Sequence, residues 1–331
     1  MTSVQPRAAI VGIAGPALLP EEAALFRAFP PAGIILFARN IQNPAQLAAL
    51  MATLPSGADL MVDQEGGRVV RLRPPHWRAH PPAAAIGHLF TADPRAGLRV
   101  AWLTGALIGL DCRTAGFTVA ATPVLDIAVS GAHEVIGDRA FSRHPVAVAR
   151  LGRATANGVL AAGILPIGKH APGHGRAGVD SHLLLPKVAQ QDLSDDMRPF
   201  ALNADLPWMM TAHIVYEAID PLRPGTLSAT VIGTIIRGRI GFEGVLVTDD
   251  LAMQALSGAP ADLAIEALAS GCDIAVHCSG DFAATEALLR ACPPLTAAAQ
   301  RRLRIGRAVA ASRRLMLDAG QLAAERDRLF V

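Results

Sequence analysis

The chain has 331 residues, 51% hydrophobic and 18% charged, a composition that can fill a large buried core and that excludes a disordered chain. A net charge of +2 is too slight to call for nucleic acid or an anionic membrane as partner, and no apolar run is long enough to span a bilayer. The cysteines, Cys112, Cys272, Cys278 and Cys292, form neither a CxxC pair nor a zinc-ligand spacing, the usage of reduced, inert thiols in a cytosolic protein.

From the N-terminus, Ala8 to Leu19 is apolar behind one arginine and superficially resembles a signal peptide. No small-residue cleavage site follows, and Glu21-Glu22 opens a helix pattern at once, so 8–13 reads as a first strand and the expected location is cytoplasmic. Further strand-like runs follow at 33–37, 59–63, 117–126, 163–169, 208–214, 244–249 and 272–278. Amphipathic helix patterns lie between them at 21–29, 44–54, 94–113, 145–161, 190–204, 229–239, 261–270 and 283–291, with a last helix near 297–327. The 64–93 segment, with Pro74, Pro75, Pro81 and Pro82, reads as a long loop over one face, without a helix before residue 94.

Eight apolar strands alternating with helices predict an α/β fold, a single-domain (β/α)8 TIM-type barrel spanning residues 1–331. A doubly wound open sheet is the runner-up, but no GxGxxG fingerprint follows the first strand.

Polar residues collect where these strands end. Strand three ends in Asp63-Gln64-Glu65-Gly66-Gly67-Arg68, strand four at Asp126, followed by Gly137-Asp138-Arg139. Strand six delivers His213 and strand seven Asp249-Asp250. The densest stretch follows strand five: Lys169-His170, then a loop punctuated by Pro172, Gly173, Gly175 and Gly178 that carries His174, Asp180 and His182. In a barrel the C-terminal strand ends form the active-site face, so groups arriving from five strands point to an enzyme.

The residue types narrow the chemistry. There is no GxSxG elbow and no phosphate-binding P-loop. Glycoside hydrolysis needs a carboxylate and a proton donor; metal-assisted hydrolysis needs histidines and aspartates around a divalent ion. Arg139, Lys169 and Arg176 among the histidines disfavour a dication, so no metal and no cofactor is expected.

Lys169-His170-Ala171-Pro172-Gly173-His174-Gly175 followed by Asp180-Ser181-His182 resembles the KHFPGHG…DSH loop of glycoside hydrolase family 3, in its bacterial β-N-acetylglucosaminidase branch. Asp63-Gln-Glu-Gly-Gly-Arg-Val, Ile136-Gly-Asp-Arg139-Ala-Phe-Ser, Met210-Thr-Ala-His213 and Val247-Thr-Asp249-Asp-Leu-Ala-Met253 match the same family in order, from about Gly33 to Cys278. Ala171 departs from the usual phenylalanine, which would loosen packing at the root of the loop.

The resemblance implies a retaining exo-β-N-acetylglucosaminidase. It places the nucleophile on Asp249, the acid/base on His182 paired with Asp180, and sugar binding on Asp63, Arg71, Arg139, Lys169 and His170. It also implies a small-molecule carbohydrate substrate, a muropeptide or other N-acetylglucosaminide met during cell-wall recycling. A family 3 phosphorylase or other β-glycosidase is the alternative, with a metal-dependent barrel hydrolase or a non-catalytic sugar-binding protein behind it. Asp126 is expected in a buried pair beneath the mouth, and His174 in loop packing. His213 stands between lining the site and packing beneath it. Strand parity groups Asp249 with Val245 and Val247, and Asp250 with Leu246 and Thr248; both sets suit burial, so periodicity alone does not choose between the two aspartates.

Overall fold

A computed structural model describes residues 5–330. Eight strands, each parallel to both neighbours, close into a barrel in chain order: β1 (Arg7–Gly12), β2 (Pro31–Leu36), β3 (Asp59–Val62), β4 (Val119–Ala120), β5 (Leu165–Ala171), β6 (Trp208–Thr211), β7 (Val245–Asp250) and β8 (Ile274–His277). Each falls within or beside a run expected from the sequence. β4 is the shortest because Pro123, lacking an N–H, interrupts the ladder; pairing resumes where the Leu125 N–H donates to the Lys169 carbonyl at 2.7 Å.

Two layers of apolar side chains hold the barrel. Ile10, Met61, Val119, Ile167, Trp208 and Val247 belong to the cluster filling its interior, closed at the bottom by Leu303 and Ala310 of a C-terminal helix. The alternate residues, such as Val11, Val62, Met209 and Leu246, belong to the second cluster, formed with the surrounding helices. Parallel strands covered on both faces must be apolar on both, hence the continuous runs.

The outer layer is α1 (Pro20–Ala28), α2 (Pro44–Met51), α3 (Ala83–Ala92), α4 (Pro94–Thr114), α5 (Pro145–Ala161), α6 (Ser194–Ala201), a π-helix at Val231–Arg239, α7 (Pro260–Ser270) and α8 (Phe282–Ala291), followed by α9 (Ala297–Arg313) and α10 (Ala319–Leu329). Two expectations are corrected. The 64–93 segment contains α3, whose alanine-rich start follows Pro82 and whose Ile86 is buried against α4 and the β4–α5 loop. The last helix is two: Arg314 turns to extended backbone, and Asp318 caps a new start by accepting from the Gln321 N–H at 2.9 Å. The break lets α9 cross beneath the barrel while α10 returns along α4.

α4 and α5 pack almost backbone to backbone. A Cβ on Gly105 would stand 2.1 Å from the Thr155 carbonyl, and one on Gly158 2.1 Å from the Trp102 carbonyl. Among the described residues no helix is long and apolar enough to cross a membrane.

Candidate active site

The C-terminal mouth of the barrel opens into a pocket with a cavity volume of about 280 Å³, near the lower end of the range of small-molecule sites. Asp63, Arg71, Arg139, Lys169, His170, His182 and Asp249 all line it. Asp180 stands behind His182 rather than in the wall.

Strand parity explains why Asp249 is there. Val245 and Val247 face the barrel interior, so Asp249, two residues on, faces the mouth. Asp250 has the parity of Leu246 in the outer cluster. Its Oδ1 accepts from the Ala252 and Cys278 N–H groups, each at 2.9 Å, while its edge still reaches the pocket. The same rule carries Met61 to Asp63 and Ile167 to Lys169.

Asp63 and Glu65 share Lys169, whose Nζ lies 2.9 Å from the first and 2.6 Å from the second. Glu65 also clamps Arg139 through two 2.8 Å bonds, and Asp63 takes Arg71 at 3.3 Å. Lys169 is thus left one N–H of three, and Arg139, whose Nη1 also donates to the Val135 carbonyl, two of five. Burial alone would raise the Glu65 carboxyl, but Arg139 and Lys169 outweigh it and hold it far below the usual carboxylate range. Asp63 is lowered likewise, against its own burial, by Lys169 and Arg71. Glu65 is a site residue that the sequence reading passed over, although it shares the parity of Met61 and Asp63.

Asp126 is fully buried and does pair beneath the mouth. It meets His170 Nδ1 at 2.7 Å and accepts from the His174 N–H at 2.7 Å. This fixes the His170 ring and leaves Nε2 for the pocket. The Lys169–His170 peptide is cis. Ala171 is wholly buried, and its carbonyl accepts from the Ala212 N–H at 2.9 Å, so the root of the loop stays tied to the β6 side.

His213 packs beneath rather than lining the site. Its Nδ1 meets Thr226 Oγ1 at 2.7 Å, and its Nε2 lies 2.9 Å from the Asp250 carbonyl, to which it donates. Burial would raise the Asp249 carboxyl, but His170, His213, the Asp250 N–H and Lys169 together bring it down to about 2. Asp249 is therefore ionised at neutral pH, as a nucleophile requires.

Opposite these fixed groups, His182 Nδ1 lies 2.7 Å from Asp180 Oδ1, which also accepts from the His182 N–H at 2.9 Å. Asp180 is slightly desolvated, which would raise it, yet these bonds lower it below its ordinary value. An ionised Asp180 orients the ring so that Nε2 is free to exchange a proton. His174 and Ser181, lining the wall with Phe37 and Met253, were not among the expected binding residues. Among the described residues no three His, Cys, Asp or Glu side chains are grouped so as to hold a metal ion.

A parallel barrel with a nucleophile-ready carboxylate, a carboxylate–cation cluster and a His–Asp dyad at one mouth has the make-up of a barrel hydrolase. The family described as Glycosyl hydrolase family 3 N terminal domain matches residues 20–304. A β-hexosaminidase of Methylococcus capsulatus is 38% identical over 329 residues, covering 96% of this chain and 93% of that protein. One from Bordetella avium is 37% identical over 296 residues, covering 86% and 84%. The crystal structure of NagZ from Neisseria gonorrhoeae with N-trifluoroacetyl-D-glucosamine superposes with a TM-score of 0.86 at 30% identity, covering 100% of this chain and 99% of that one. A family 3 β-N-acetylglucosaminidase from Paenibacillus gives 0.81 at 30% identity, over 97% of this chain and 66% of that one. This chain belongs to glycoside hydrolase family 3 and is a glycoside hydrolase.

Proposed function

We propose that the enzyme is a retaining exo-β-N-acetylglucosaminidase in which Asp249 is the nucleophile and His182, oriented by Asp180, the acid/base. The observation that carries this reading is that one pocket holds both an inward-facing, ionised Asp249 and a histidine in contact with its own aspartate. The acetamido preference draws on the Neisseria NagZ structure, whose bound ligand is N-trifluoroacetyl-D-glucosamine.

Asp249 Oδ attacks the anomeric carbon as the bond to the departing oxygen breaks, and His182 Nε2–H gives that oxygen its proton. His182, now neutral at Nε2, then removes a proton from water as water displaces Asp249 from the sugar. The spare N–H of Lys169, the free Arg139 N–H groups, His170 Nε2, Arg71 and Asp63 supply hydrogen bonds to sugar hydroxyls and the acetamido group. The substrate is read as a terminal N-acetylglucosamine on a muropeptide fragment, handled in the cytoplasm during wall recycling, and the whole chain as one catalytic domain.

A 5-fluoro N-acetylglucosaminyl fluoride should accumulate a covalent adduct that peptide mapping places on Asp249, and Asp249→Asn should abolish both labelling and turnover. A label on Asp250, or an inverted product without an adduct, would overturn the assignment. Running the assay with and without phosphate, and analysing the sugar released, separates hydrolysis from phosphorolysis.

A further inference from the structure

The loop carrying the dyad is held unevenly. Its root is fixed: besides the His174 N–H on Asp126, the Tyr216 hydroxyl donates to the Gly173 carbonyl at 2.8 Å. A Cβ on Gly175 would stand 2.0 Å from the Ile127 carbonyl, so the root lies directly against the chain that follows β4. Its crown, 178–185, is different. Among the described residues it meets the rest of the chain through two hydrogen bonds: Ser181 Oγ to His174 Nε2 at 2.9 Å, and the Gln254 N–H to the His182 carbonyl at 3.2 Å.

Ser181 is 2% exposed, whereas the side chain of neighbouring His182 is 61% exposed. The serine is therefore a buried peg against His174, while His182 beside it reaches over the pocket with Asp180 behind it. Gln254 lies five residues beyond Asp249, so the second tie joins the crown to the segment that carries the nucleophile.

We propose that His174 is a positioning residue for the reaction, acting through Ser181 to set where the Asp180–His182 dyad stands over the pocket, with the Gln254–His182 backbone bond as the second tie. The inference rests on the dyad being the acid/base. Burial, with His170 nearby, pushes His174 down to about 4, so the ring is neutral at working pH. A hydroxyl can donate or accept, so the bond forms in either tautomer of a neutral ring. His174 Nδ1 is buried with no hydrogen-bond partner, leaving Ser181 as the ring's one hydrogen-bond partner among the described residues, with the His170 ring edge-on at 5.4 Å. A ring present for packing alone would not need that contact, and a phenyl group of similar size would replace it.

The test measures kcat and KM on an aryl N-acetyl-β-glucosaminide with a good leaving group and on an alkyl one that needs protonation. The variants are Ser181→Ala, Ser181→Thr, His174→Phe, the double Ser181→Ala/His174→Phe, and His182→Ala. Ser181→Ala and His174→Phe should each lower kcat on the alkyl glycoside roughly three- to tenfold more than on the aryl one, the rate equivalent of one hydrogen bond. Ser181→Thr keeps the hydroxyl and should keep the rate. The double variant should be no slower than the slower single, because both changes remove one bond. Equal losses on both substrates, or additive losses in the double variant, would overturn the inference. If His182→Ala separates the substrates while Ser181→Ala does not, only the positioning role falls. If His182→Ala slows both equally, the acid/base assignment falls first.

Discussion

At the scale of single residues, the site is a set of charges that depend on one another. Glu65 holds two cations, and its removal would leave Lys169 with Asp63 alone and Arg139 with no carboxylate. Breaking a buried pair by removing one partner typically costs about 3–5 kcal/mol, because a charge is left without compensation. Glu65→Gln should accordingly lower the urea midpoint and raise KM more than Asp138→Asn, whose carboxylate pairs with half-exposed Arg68 and should change stability by less than about 1 kcal/mol. The sign with pH follows from the lowered Glu65 carboxyl. Its stabilising contribution is present above the unfolded carboxylate range and is lost as pH falls through the folded value. Glu65→Gln should therefore flatten the stability–pH curve below about pH 4. An unchanged curve would mean that Lys169 and Arg139 do not depend on Glu65. Of these residues, Asp249, Asp63, Lys169 and the dyad are visible in the sequence as polar groups at strand ends. Glu65 is equally visible but carries no mark that it binds two cations, since its partners lie 74 and 104 positions away in the chain.

The α4–α5 crossing shows what the elements demand. Alanine normally suits a helix better than glycine by about 1 kcal/mol. At Gly158 that gain is overridden, because the added methyl would meet the Trp102 carbonyl at 2.1 Å and backbone cannot rotate away. Gly158→Ala should destabilise by roughly 1–3 kcal/mol, while Gly233→Ala in the π-helix, with nothing within 4 Å, should be close to neutral. Chemical denaturation of both variants checks this, and equal midpoints would show that the helices can move apart freely. Eight of the nine helices between β1 and α9 were legible as amphipathic segments between strands. α3 was hidden by the prolines around it, and the α9–α10 break by the continuous helix-forming sequence across Leu315–Leu317. That break is set by where the chain must turn: the Leu315 N–H donates to the Ala161 carbonyl at 2.8 Å, a tie to α5 that no local pattern announces.

For the whole molecule, acid should act in two stages. His174 is lowered to about 4 by burial and His80 is lowered by burial as well, so the unfolded chain binds their protons more readily. Stability should fall as pH drops from about 6.5 towards 4, and His174→Phe should remove part of that decline, on the order of 3 kcal/mol at most. Below that, Asp63, Glu65, Asp126 and Asp249, all lowered, add a steeper loss. Urea midpoints from pH 7 to pH 3 would resolve the stages; a single carboxylate-only transition would show that His174 is not buried as a neutral ring. Because hydrolysis is assigned to Asp249 and His182, activity should also survive exhaustive chelation. Loss with EDTA restored by one divalent ion would favour a metal-assisted route instead.

The amino-acid sequence alone determined the eight-fold alternation of apolar strands and helices and the order of polar groups at strand ends. Both are periodic, local properties of the chain. It could not decide which face of each strand is inside, because a strand covered on both sides is apolar at every position. Closure of the barrel made that choice for all eight strands together, turning Asp249 into the mouth and Asp250 away from it. Closure also brought Glu65 to Arg139 and Lys169, through contacts between segments whose spacing along the chain carries no signal.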